Sequence, residues 1–182
     1  MTQGLIIVDV QNDYFAGGSM ELVAMEEAAA NCRALLDAFR ADSAPLFHIQ
    51  HLAIREGATF FVPGTPGAEI HHSMTPAAGE TVFVKHYPSA FRDTCLHESL
   101  QLGGIDELVI CGAMSHMCID TTVRAAFDLG YRCRVAADAC ATRDLEFGGR
   151  RVAAADVHAA FMGALAVPFA AVLPSAQILD AR

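Results

Sequence analysis

The chain has 182 residues with 12 basic and 21 acidic side chains, a formal net charge of -9. That balance argues against nucleic acid and anionic membrane surfaces as partners, and no apolar run approaches the ~18–20 residues a membrane span requires. A 53% hydrophobic content suits one domain, residues 1–182, with a large core and enough apolar surface left over to predict a homo-oligomer.

Gly4 to Asp9 reads as a buried strand that ends on a carboxylate. No secretory leader precedes it, so the cytoplasm is the expected compartment, with the six cysteines as reduced thiols. Gln11 to Gly18 is a loop with turn chemistry at its paired glycines. Leu22, Met25, Ala29, Cys32, Leu36 and Phe39 recur at threes and fours, an amphipathic helix of about five turns that Pro45 breaks. Leu46 to His51 reads as the second strand. The irregular segment from Arg55 to Glu80 has the length of a lid or binding loop. Thr81 to Val84 is the third strand, with Lys85 at its carboxyl end; Pro88 to Phe91 is loop. Thr94 to Leu102 reads as a helix closed by Gly103 and Gly104.

Leu108 to Cys111 is too short for a helix and right for a buried strand, which Gly112 ends. The next helix carries Val123, Ala126, Phe127 and Leu129, with Gly130 as its C-terminal cap. Cys133 to Asp138 reads as strand five, Val152 to Leu165 as an alanine-rich helix, and Ala170 to Leu173 as strand six before Pro174. Strands alternating with helices predict an α/β fold, a three-layer α/β/α arrangement around a six-stranded, mostly parallel open sheet.

Ligands of such sheets bind outside the carboxyl ends of the strands. Asp9, Lys85 and Cys118 all fall there. Lys85 is also the one lysine beside eleven arginines, which asks what an ammonium does that a guanidinium cannot. Taken singly, each has a bland reading: a loop anchor, a surface charge, a small apolar residue at a helix start. Together they can act. A carboxylate can take the thiol proton, an ammonium favours both anions, and a thiolate at a helix N-terminus can attack a carbonyl. An activated Cys118 would alkylate faster than the other five cysteines. Gln11, Phe15, Phe91, His116 and Met117 are candidate pocket residues by their rim positions. A dinucleotide-binding reading lacks its glycine-rich turn after strand one, and a catalytically silent binding or scaffold protein of the same fold stands as an alternative.

Four motifs in order carry a resemblance: Asp9-Val10-Gln11-Asn12-Asp13-Tyr14-Phe15; Gly64-Thr65-Pro66-Gly67-Ala68-Glu69-Ile70; Lys85-His86-Tyr87-Pro88-Ser89-Ala90-Phe91; and Cys111-Gly112-Ala113-Met114-Ser115-His116-Met117-Cys118-Ile119. With these, the chain resembles the isochorismatase-like cysteine hydrolases, the superfamily of nicotinamidases and N-carbamoylsarcosine amidases. The resemblance implies an Asp9-Lys85-Cys118 triad and a non-proline cis peptide at Ala113–Met114. It also implies oxyanion donors on Met114 and Cys118, a small amide or carbamoyl substrate cleaved through a thioester, and no cofactor. Isochorismatases that split a vinyl ether lack the nucleophilic cysteine, so Cys118 favours C–N cleavage over that alternative. Nicotinamidases add an Asp-x-His pair and a later histidine for a metal. Here His48 and His51 stand at a different spacing, on opposite strand faces, with His71 and His72 further on, and no metal is expected.

Overall fold

The computed structural model describes residues 2–182. Strands β1 (Gln3–Val8), β2 (Leu46–His51), β3 (Thr81–Lys85), β4 (Glu107–Ala113), β5 (Arg132–Ala141) and β8 (Ala171–Leu173) form one sheet in the order β3-β2-β1-β4-β5-β8. Every pairing in it is parallel. Side chains of β1 alternate between two cores. Leu5 and Ile7 pack with helix α1 (Met25–Ala41) and helix α5 (Ser175–Asp180), through residues such as Leu36 and Ile178. Ile6 and Val8 face helices α2 (Leu96–Leu102), α3 (Asp120–Asp128) and α4 (Ala154–Leu165), through Leu100, Val123 and Leu165. This is the expected three-layer architecture, and both faces are covered because parallel strands are joined by crossover helices.

The element boundaries moved where local turn chemistry overrode periodicity. The helix placed from Leu22 starts at Met25, after Ala24 at φ 57°. The helix placed from Thr94 starts at Leu96, and the one placed from Val152 starts at Ala154. Residues ahead of the last belong to an antiparallel hairpin, β6 (Leu145–Phe147) with β7 (Arg150–Val152). Gly148 and Gly149 turn it with φ 58° and 73°, the two positive values of a type I′ turn, for which a Gly-Gly pair is a recognised signal. Helix α5 also went unread from the sequence.

Gly112 does not end β4 but lies within it, at φ 120°, and the pairing with β5 shifts register between Ile110 and Gly112. A Cβ there would stand 2.0 Å from the carbonyl oxygen of Val8 on the adjacent strand. Glycine lets the chain pass that close at the point where the site is built. Gly112→Ala should therefore lower the unfolding free energy by about 2–4 kcal/mol, read from the urea midpoint at unchanged m-value.

The long Arg55–Glu80 segment is tied down at both ends. Asp13 accepts from the backbone N–H of Phe61 (2.6 Å), and Asn12 donates to the carbonyl of Pro66 (2.8 Å). At the far end, Glu80 accepts from Arg40 Nε (2.7 Å) and from the N–H of Ala77 (2.8 Å), and meets His48 Nε2 at 2.8 Å. Hydrogen bonds from Arg40 chiefly hold the Glu80 carboxyl at about 2, against the opposing push of burial. A depressed folded-state value gives stability that is fully present above the unfolded value near 4.5 and is lost as pH falls toward 2. Glu80→Gln should destabilise the protein by about 1–3 kcal/mol at neutral pH. Its urea midpoint should also fall less than the parent's between those two pH values.

Candidate active site

The chain leaves β1 for β2 and β3 on one side, while β4, β5 and β8 lie on the other. The crevice where this direction reverses lies between the carboxyl ends of β1 and β4, the usual ligand position in such sheets. Asp9 follows β1 with φ 52°, a left-handed conformation unfavourable for a side chain with a Cβ and concentrated at functional sites. Cys118 follows β4, inside a π-helical turn, Ser115–Ile119, that leads into α3. The Ala113–Met114 peptide between them is cis.

Lys85, at the end of β3, reaches across β2 to this crevice. Its Nζ lies 2.7 Å from Asp9 Oδ2 and 3.2 Å from Cys118 Sγ. Asp9 and Lys85 are wholly buried and Cys118 is 5% exposed. Asp9 Oδ1 has no hydrogen-bond partner among the described residues, and Oδ2 meets the Lys85 ammonium at 2.7 Å, so the ion pair is the carboxylate's main compensation for burial. Buried polar atoms left open in this way are rare in native proteins and mark reactive positions. An open lone pair close to a thiol is placed to take its proton. Burial would lower the Lys85 pKa, but the Asp9 carboxylate at 2.7 Å outweighs it and the net shift is upward, so an ammonium persists.

The sulfur departs from the sequence-based expectation. Burial pushes the Cys118 thiol up, Asp9 adds to the rise, and Lys85 acts in the opposite direction without reversing it. The resting group is therefore a thiol. Low dielectric around an anion outweighs one neighbouring cation that is already paired with a carboxylate. Preferential alkylation of Cys118 at neutral pH is no longer expected, because Cys95 is the exposed thiol.

The pocket candidates separate into distinct groups. Gln11 is fully buried and occupied by backbone. It accepts from the N–H of His51 (2.8 Å) and donates to the carbonyls of His51 (2.9 Å) and Ala68 (2.8 Å). Its amide thus serves as a strand-like clamp and not as a partner of Asp9. Phe15 stacks on His71 with ring centroids 3.6 Å apart. Phe91 stacks on Tyr131 and packs in the core on the α2 and α3 side. His116 meets Thr142 Oγ1 at 2.6 Å, and Met117 is 40% exposed beside Cys118 in sequence. Arg143, which follows Thr142, makes no ion pair among the described residues, and its charge is felt at His116 and at Tyr14. Burial chiefly pushes the Tyr14 hydroxyl up, and the Asp9 charge adds to the rise. Tyr14 lies within the first of the four motifs but was not singled out there, and Arg143 carried no sequence signal beyond its place near a strand end.

The four histidines weighed as metal ligands are dispersed. His48 pairs with Glu80, His71 meets Ser73 Oγ at 2.8 Å, and His72 lies against the His71 ring. One donor set does assemble: atoms of Asp9, His51 and Cys118 lie within 4.8 Å of one another. The Lys85 ammonium touches all three residues, reaching His51 Nδ1 at 2.9 Å. A divalent cation does not fit donors already gathered around a positive charge.

Comparison with known proteins agrees with the fold. The model of the isochorismatase domain matches residues 3–177. The chain is 52% identical over 165 residues to the uncharacterised isochorismatase family protein YddQ of Bacillus subtilis, covering 91% of this chain and 92% of that one. It is 33% identical to a nicotinamidase/pyrazinamidase of Mycobacterium tuberculosis, over 75% of this chain and 84% of the other. A crystal structure of an Oleispira antarctica protein assigned to the isochorismatase hydrolases superposes with a TM-score of 0.94 at 48% identity. It covers 98% of this chain and 96% of its own.

Proposed function

Because this chain belongs to the isochorismatase family, we propose that it is a cysteine hydrolase of small-molecule C–N bonds, amide or carbamoyl. The observation that carries this reading is the contact of Lys85 Nζ with both Asp9 and Cys118 in a buried crevice at the sheet's switch point.

In this reading Asp9 is the general base and later the general acid. Cys118 gives its proton to Asp9 as the sulfur attacks the carbonyl carbon, and the electron pair of the C=O bond moves onto oxygen. The Lys85 ammonium offsets the charge appearing on sulfur, which the resting thiol needs because burial disfavours a thiolate. Backbone N–H groups of Met114 and Cys118 receive the oxyanion. Collapse of that intermediate breaks the C–N bond, and Asp9 returns its proton to the departing nitrogen. Water then attacks the thioester with Asp9 again as base, which releases the acid and restores the thiol. The family resemblance to an amidase at 33% identity supports this bond type.

The test is an ammonia-release screen over primary amides, carbamoyl compounds and nicotinamide, followed by mass spectrometry of the enzyme quenched during turnover. Carboxylated and neutral members of each class belong in the screen. The reading predicts ammonia release and an acyl adduct on Cys118. Release with no adduct on that residue would overturn the thioester route, and no release from any class would overturn the bond assignment.

A further inference from the structure

We propose that His51 is a positioning residue for this reaction: its neutral imidazole accepts a hydrogen bond from Lys85 and holds the ammonium between Asp9 and Cys118. The proposal rests on the hydrolase reading above and adds a fourth side chain to it.

Strand order creates the contact. β2 lies between β3 and β1, so a lysine on β3 reaches Asp9 only by crossing the carboxyl end of β2. His51 is the last residue of β2 and is paired in register with Lys85 itself. The side chain at that position is necessarily beside the lysine stem. Most residues there would either block the ammonium or leave it one acceptor short on the β2 side.

The tautomer follows from donor chemistry. An ammonium carries three donors and no acceptor, and its Nζ lies 2.9 Å from His51 Nδ1. Nδ1 must therefore offer its lone pair, and the ring proton sits on Nε2. Nε2 has no partner among the described residues. Three contacts then surround Nζ besides the sulfur: Asp9 Oδ2 at 2.7 Å, His51 Nδ1 at 2.9 Å and the carbonyl of Tyr87 at 3.1 Å. Together they set the direction from which the ammonium faces Cys118.

The ring is itself held. Gln11 brackets the His51 backbone by accepting from its N–H and donating to its carbonyl. Phe61 lies against the imidazole at 5.8 Å between centroids. The charged and titratable groups around it all bear on its protonation. Burial comes first, Lys85 and His86 oppose a second proton, and Asp9 favours one, with a net fall to about 4. His51 stays a neutral acceptor through the neutral range, as the geometry requires.

The test uses two substitutions of different chemistry. His51→Asn puts a carbonyl oxygen near the place of Nδ1, whereas His51→Leu keeps volume and removes the acceptor. With any amide turned over by the parent enzyme, His51→Leu should lose about tenfold to a hundredfold in kcat with KM within about threefold. His51→Asn should recover most of that loss. Nitrogen-15 NMR of the imidazole in the parent at neutral pH should report a bare Nδ1 and a protonated Nε2, and Lys85→Met should shift the Nδ1 resonance. A protonated Nδ1, or a His51→Leu enzyme with parental kcat, would overturn the proposal. The NMR reading needs no substrate, so failure of the hydrolase assignment and failure of the His51 assignment remain distinguishable.

Discussion

Cys118→Ala is expected to abolish hydrolysis of every amide the parent enzyme accepts, with a loss of at least about 10⁴-fold in kcat. The side chain is small and nearly buried, so truncation should change the unfolding free energy by only about 1 kcal/mol. That separation of activity from stability is the informative part. Cys118→Ser should be as inactive as alanine, because an alkoxide is harder to form than a thiolate in a site that already pushes the sulfur proton upward. Cys95→Ser should turn over normally, since that thiol is exposed whereas the acid and the ammonium are wholly buried. Substantial residual hydrolysis in Cys118→Ala, measured on protein free of contaminating amidases, would remove the sulfur from the mechanism.

The second large effect lies in the buried pair. Lys85→Met should strand a carboxylate with no aligned donor, and Asp9→Asn should strand an ammonium, each at about 3–5 kcal/mol of stability. The double variant Asp9→Asn/Lys85→Met removes both charges, and its stability should return to within about 2 kcal/mol of the parent. All three proteins should be inactive, because either change removes the base or the cation that supports the sulfur. Urea unfolding at neutral pH gives the cycle. Strictly additive losses would mean that the two groups do not interact as the 2.7 Å contact requires. Recovery of stability without recovery of activity would identify the pair as retained for chemistry.

These two expectations also explain the resting thiol. A cation paired with a carboxylate is nearly neutral as seen from the sulfur, while burial acts undiminished. The proton therefore leaves Cys118 as the sulfur bonds to carbon and not before. His51 sharpens the point, since a charged imidazole beside Lys85 would disturb the balance and burial keeps it neutral.

Alternation of short apolar runs with helical patterns was enough for the α/β class, because a strand buried on both faces must be apolar throughout. Carboxyl-end placement of Asp9, Lys85 and Cys118 was equally legible, because the end of such a run is visible in a one-dimensional pattern. Gly148 and Gly149 carried a hairpin signal that the neighbouring alanine-rich helix obscured. Gly112 could not be read as a strand interior, since its reason is the Val8 carbonyl on another strand.

The order β3-β2-β1-β4-β5-β8 was beyond the sequence, and with it the fact that Lys85 must pass over β2. Hence His51 read as one of four scattered histidines and Gln11 as a pocket residue, when the first holds the lysine and the second holds the first. Local patterns determined which residues reach the rim of the sheet. Packing alone decided which of them touch, because contact at that rim depends on strand neighbours and on the burial that sets each group's charge.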